Sequence, residues 1–116
     1  MREKLRGEAR LLHVLEAIEN IERFIEDKER RDFTPKSLLY FGVIKNLEII
    51  GEAAYMLSKE FIEAHTDSPW KQIIGMRHYL VHGYYQISAD ETWNTIKNDL
   101  PVLKERVDKY LKEYCD

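Results

Sequence analysis

The chain has 116 residues, 44% hydrophobic and 34% charged, a balance that suits one soluble domain and leaves little room for a second core. Eighteen Lys and Arg against 21 Asp and Glu give a formal charge of -3, which excludes a general polyanion binder resting on many basic contacts. The single cysteine, Cys115, excludes an intrachain disulfide, and no apolar run reaches membrane-spanning length, so a cytoplasmic protein with no membrane segment is expected.

Glycine and proline are sparse, and strand-type alternation is hard to find. The expected fold is all-α: an up-down bundle of four long helices forming a single domain over residues 1–116. The first helix is expected from Glu3 to Glu29. In it Leu11, Val14, Leu15, Ile18, Ile21 and Ile25 recur at spacings of three and four and make one apolar stripe. The second is expected from Pro35 to Ala64, with Thr34 as N-cap, Pro35 at the first helical position and Phe61 on its buried side. Gly51, Ala53 and Ala54 form a small-residue patch on it that lets another helix approach closely.

A third helix is expected to open at Ser68 and Pro69 and to close at His82, with Gly83 in the left-handed conformation that often ends a helix. Ile73, Ile74, Leu80 and Val81 are its expected core residues. The fourth starts at Ser88 and Glu91, which have capping-box spacing, and carries a stripe from Trp93 to Tyr114. Pro101 falls inside that stripe and is expected to kink the helix near Lys97, because its ring removes a donor and crowds the preceding turn.

One stretch stands apart chemically. In "GMRHYLVHGYYQ", Arg77, His78, His82, Tyr84 and Tyr85 crowd into nine positions at the end of the third helix. Basic groups there also interact well with the negative end of the helix dipole, and that plain structural role is the more common one. His78 and His82 lie one turn apart, as two ligands of one ion would, but no third ligand is near in sequence and Tyr79 stands where zinc proteases carry glutamate. No metal and no cofactor is expected. Metal-free cleavage of RNA needs a group that moves the ribose 2′-hydroxyl proton and a donor for the phosphate oxygens. Histidine and arginine fit those two tasks. Arg77 and His82 are five residues apart, about 140° around a regular helix. They converge only if the helix frays or tightens near 81–83, or if a second copy helps to line the site. Glu48 and Glu52, one turn apart, read more readily as a solvated or inter-helix salt-bridged pair than as paired catalytic acids.

"MRHYLVHGYY" resembles the R-x4-H-x-Y motif of HepT-type HEPN-domain toxins, with Arg77, His82 and Tyr84 at the three motif positions. "IKNLEIIGEAAYMLSKEF", "PWKQIIGMR" and "TWNTIKNDLPVLKE" are similar to that family too, with Asn46, Gly51, Glu52 and Trp70 at family-like positions. The likeness covers roughly residues 38–104. Many relatives have asparagine directly after the arginine, where this chain has His78. The resemblance implies a HEPN-like helical bundle that forms a homodimer, with the two motifs facing a shared cleft. It implies a toxin of a type VII-like toxin–antitoxin pair: a metal-independent endoribonuclease acting on RNA, tRNA among the candidates. Arg77 would clamp phosphate, His82 would act as acid/base, and His78 and Tyr85 would support them or contact RNA. It also implies a cognate MNT-type nucleotidyltransferase antitoxin that places AMP on Tyr84, adding negative charge that repels RNA. The competing reading is a non-catalytic helical dimer module that binds a nucleotidyltransferase. It would need an apolar surface but not the Arg77, His82 and Tyr84 set.

Overall fold

A computed structural model describes residues 2–83 and 87–114. Among them the fold is all-α, as expected. Helix α1 (Arg2–Ile25) buries Leu11, Val14, Ile18 and Ile21 completely, and Leu15 and Ile25 are half-buried. It packs most extensively on α2 (Leu38–Tyr55), and the two run antiparallel. Phe24, at the end of α1, lies against Gly42 near the start of α2. Asn46, buried in α2, ties the pair together. It accepts from Asn20 Nδ2 at 3.0 Å and donates its own amide to Gly42 O at 2.8 Å.

The start of α2 corrects the sequence reading. Lys36 adopts φ 68, the left-handed region, so no helix can run through it from Pro35. Ser37, extended at φ -74 and ψ 164, is the N-cap and accepts from Tyr40 N at 3.1 Å. The expected single helix to Ala64 is also cut. Ser58 is extended (ψ 153) and caps a separate short helix, α3 (Lys59–Ala64), through Phe61 N at 3.1 Å. Two serines that can satisfy orphan N–H groups outside a helix decide both boundaries.

Helix α4 (Trp70–His82) packs on α2, again antiparallel. Its N-cap is Pro69, not Ser68. Ser68 is buried, and its hydroxyl instead pairs with Tyr110 OH at 2.6 Å. Helix α5 (Ala89–Asn94) starts at Ser88, whose Oγ accepts from Glu91 N at 3.2 Å, the serine half of the expected capping box. A π-turn over Thr95–Asp99 links it to α6 (Leu100–Glu113) without leaving helical backbone. That turn is the form the expected proline distortion takes: ahead of Pro101, Leu100 N–H reaches back to Thr95 O, five residues away. Helix α6 returns antiparallel along α1, with Lys104 Nζ on Glu22 Oε1 at 2.8 Å. The up-down order of the bundle therefore holds, with two of its four expected rods broken into segments.

The far end of the bundle is closed by an aromatic cluster around His65, stacked on Phe61 with centroids 3.9 Å apart. Its Nδ1 meets Phe61 O at 2.7 Å and its Nε2 meets Glu113 Oε1 at 3.0 Å. Both partners only accept, so both ring nitrogens are satisfied only in the imidazolium form. Burial alone would lower the His65 pKa, but the hydrogen bonds to Glu113 and Phe61 and the charges of Glu113 and Asp67 outweigh it, and it stands above the ordinary value. A cation favoured in the folded state stabilises fully below about pH 6.5, and that stability is lost as pH rises through the folded pKa. Stability is thus expected to fall by on the order of 1 kcal/mol above that range, with Glu113→Gln flattening the fall. Melting temperatures across the range check this, and an equal slope in both proteins contradicts it.

Candidate functional site

The site is built where α4 lies closest to α2. A Cβ added to Gly51 would stand 2.3 Å from Arg77 Cβ and 3.1 Å from Arg77 Cα, so only glycine permits this approach. The small-residue patch of α2 therefore has a definite partner: the backbone that carries Arg77. The arginine side chain is held from two directions. Its Nε donates to Glu52 Oε2 at 2.8 Å, and its guanidinium carbon lies 5.7 Å from the centre of the Tyr55 ring. The contact to Glu52 uses Nε, and the two terminal nitrogens of the guanidinium carry further donors of the kind that fit phosphate oxygens.

Glu52 thus belongs to an inter-helix ion pair, and Glu48 lies 3.9 Å from Lys45. Glu52 fits the inter-helix salt-bridge reading, while the contact of Glu48 stays within α2. The Arg77–Glu52 pair is partly exposed and contributes little to stability, about 0–1 kcal/mol. Its consequence is orientation.

His78 and His82 are exposed, one turn apart, with ring centroids 4.6 Å from each other. Among the described residues, no group of three His, Cys, Asp or Glu comes together as metal ligands would. The helix stays regular to its end, where Gly83 N–H bonds Tyr79 O at 2.7 Å. Gly83 has φ -117, so the expected left-handed cap is absent. A Cβ there would stand 3.1 Å from Tyr79 O, and glycine makes room for the last turn rather than reversing the chain. With no fraying near 81–83, Arg77 and His82 keep the divergence of a regular helix. The structure brings Arg77 to Glu52 and Tyr55, and His82 to His78, but it does not bring Arg77 and His82 together within one chain. Tyr84 and Tyr85 lie outside the described residues, as does Cys115.

Val81, expected in the core, is 42% exposed. It sits one turn after Arg77 and lines a groove of about 210 Å³ with Arg10 and His13 of α1 and Lys45, Glu48 and Glu52 of α2. Sequence reasoning passed over Arg10 and His13, which look like an ordinary solvated face of α1. A larger groove of about 450 Å³ lies on the other side of α4, against the π-turn and α6. Its walls are mainly apolar, with Ile73, Met76, Leu100 and Leu103 among them, and it holds none of the histidines. Exposed Tyr55, Met56, Tyr79 and Val81 give the Arg77 neighbourhood an apolar surface beside its charges.

No helix among the described residues is long and apolar enough to cross a membrane. Comparison with known proteins matches residues 14–110 to the family described as "Ribonuclease HepT-like". The chain is 41% identical over 103 residues to the "Gamma-glutamylcyclotransferase and putative RNase" of Methanocaldococcus jannaschii, a match covering 89% of this chain and 46% of that protein. It therefore spans about half the length of that relative. It is 37% identical over 99 residues to the "Probable ribonuclease HepT" of Thermococcus cleftensis, covering 85% of this chain and 90% of the relative. A "Putative RNase" of Caldanaerobacter subterraneus is 36% identical over 103 residues, covering 89% and 92%. No solved structure matches the chain. With a family match that spans most of its helices, including all of α2 and α4, this chain belongs to the HepT-like ribonuclease family.

Proposed function

We propose that the chain is a metal-independent endoribonuclease that acts as the toxin of a toxin–antitoxin pair, working as a homodimer on RNA, with tRNA the first substrate to try. The observation that carries this reading is the last part of α4, which carries two exposed, adjacent imidazoles and a guanidinium held by Glu52 and Tyr55. In the proposed step His82 takes the proton of a ribose 2′-hydroxyl, and the freed oxygen attacks the adjacent phosphorus. The bond to the 5′ oxygen breaks, and that oxygen leaves with a proton. The products are a 2′,3′-cyclic phosphate and a 5′-hydroxyl. Arg77 holds the phosphate oxygens as charge builds on them.

The divergence of Arg77 and His82 on a regular helix supports the dimer. Two copies of α4 meeting across a cleft supply an arginine from one chain against a histidine from the other. They also supply a second His82 to protonate the leaving oxygen. The exposed apolar residues around Arg77 suit such a contact. His78 supports His82 or contacts RNA, and Tyr85 belongs to the same RNA-contacting set.

Control falls to a cognate MNT-type nucleotidyltransferase. The Tyr84 phenol oxygen attacks the α-phosphate of ATP, pyrophosphate leaves, the phenol proton is released, and the tyrosine carries AMP. The added negative charge would pair with Arg77 and oppose an RNA backbone.

The test is cleavage of tRNA and total RNA in excess chelator, with intact mass taken on the same sample to detect AMP on Tyr84. Cleavage by unmodified protein supports the enzyme. No cleavage by unmodified protein supports instead the non-catalytic module that holds the nucleotidyltransferase. Glu52→Gln is expected to lower the cleavage rate on the order of 10-fold with the fold retained, because Arg77 loses the anchor that aims it. A rate unchanged by that substitution would show that Arg77 needs no such partner.

A further inference from the structure

The net charge of -3 leaves open how RNA would be held, and the groove between α1 and α2 offers an answer that rests on the ribonuclease reading above. Of its two acidic members, Glu52 is already paired with Arg77 at 2.8 Å, while Lys45 Nζ stands 3.9 Å from Glu48 Oε2 and its side chain is largely exposed. The side chains of Arg10 and His13, on the opposite wall, make no hydrogen bond or ion pair with any described residue, and Arg10 is half-buried. With no carboxylate in ion-pair contact, the Arg10 guanidinium keeps its donors for an incoming anion.

Location gives the anion its identity. Val81 closes the groove and is flanked in sequence by His82, and Glu52 borders the groove while holding Arg77. A strand with one phosphate at Arg77 therefore has a neighbouring stretch of backbone directed into this groove. We propose that the α1–α2 groove is a phosphate subsite for single-stranded RNA, in which Arg10 and Lys45 hold a phosphate next to the one being cut. The ring N–H of His13 adds a third donor. The subsite sets two cationic side chains beside the Arg77 site in an otherwise acidic protein, and it gives α1 a part in substrate binding.

The test is binding of a labelled single-stranded RNA over a range of salt, using full-length protein that carries His82→Ala so that no strand is cut. Adding Arg10→Gln and Lys45→Gln to that protein is expected to weaken binding about 10-fold, and to flatten the slope of log affinity against log salt by about 1.4, at roughly 0.7 per lost contact with a single strand. Lys28→Gln with Arg31→Gln removes the same charge near the other end of α1 and is expected to leave the slope unchanged. Equal losses from both pairs would overturn the subsite, because net charge alone would then account for binding. RNA binding untouched by Arg10→Gln and Lys45→Gln would overturn it too, while leaving the ribonuclease reading in place. If the native protein neither binds nor cuts RNA, that reading itself fails.

Discussion

Replacing His82 with alanine is expected to lower RNA cleavage by about 10²–10⁴-fold, the range that one positioned acid–base group contributes. The loss should be one of chemistry alone. His82 is exposed in the last turn of α4, and its described contact is the His78 ring. Removing it leaves no cavity and no buried unpaired group, so stability should change by less than about 0.5 kcal/mol. RNA affinity should fall far less than the rate, because the phosphate donors remain. A proportional loss of binding and rate would recast His82 as a docking residue. His78→Ala separates the two imidazoles: if His78 only supports its neighbour, the rate falls less than with His82→Ala.

Gly51→Ala is expected to be the most damaging small substitution in the bundle. The new Cβ would meet Arg77 Cβ at 2.3 Å, Arg77 Cα at 3.1 Å and Arg77 N at 3.2 Å. None of these atoms can swing aside as the tip of a side chain can, so α4 must move away from α2. Overpacking of this kind costs about 1–3 kcal/mol, and each kcal/mol lowers the melting temperature by roughly 4–8 °C in a domain near this size. The same shift carries Arg77 away from Glu52, so cleavage should fall as well. Gly75→Ala is the control on the same helix pair. Nothing lies within 4 Å of a Cβ at Gly75, which sits mid-helix, so alanine there should stabilise by roughly 0.5–1 kcal/mol. Thermal melts of the two variants should therefore move in opposite directions.

The bundle was legible where burial has a period. Leu11, Val14, Ile18 and Ile21 announce α1, and Tyr40, Val43, Ile44, Leu47 and Ile50 announce α2, because one face of each helix must leave water. Breaks set by single backbone conformations were not. Lys36 turns left-handed although lysine is not a residue that marks such turns, and α2 stops at its C-cap Met56 before Ser58 caps the next helix, inside an unbroken apolar pattern. Pro101 did announce its distortion, since a missing N–H has the same consequence in any helix.

At the site, the residue types were legible and their partnerships were not. Gly51 signalled a close approach, but only the fold says that the approaching backbone is Arg77. Glu52 lies 25 positions from Arg77, and no local spacing reports a contact between two helices. Arg10 and His13 gave no signal, because a basic residue on an exposed helix face looks the same whether or not a neighbouring helix leaves a groove beside it. The reverse holds for Val81, whose apolar side chain promised core and lines that groove instead.

RNA cut by its own 2′-hydroxyl at the end of α4, without a metal, leaves ends of one defined chemistry. The most direct measurement is the chemistry of the ends produced by the native protein in excess chelator. A 2′,3′-cyclic phosphate with a 5′-hydroxyl, and no cut where the attacking ribose is replaced by deoxyribose, is the predicted result. Fragments ending in a 3′-hydroxyl and a 5′-phosphate, or cleavage that disappears with the chelator and returns with a divalent cation, would contradict it.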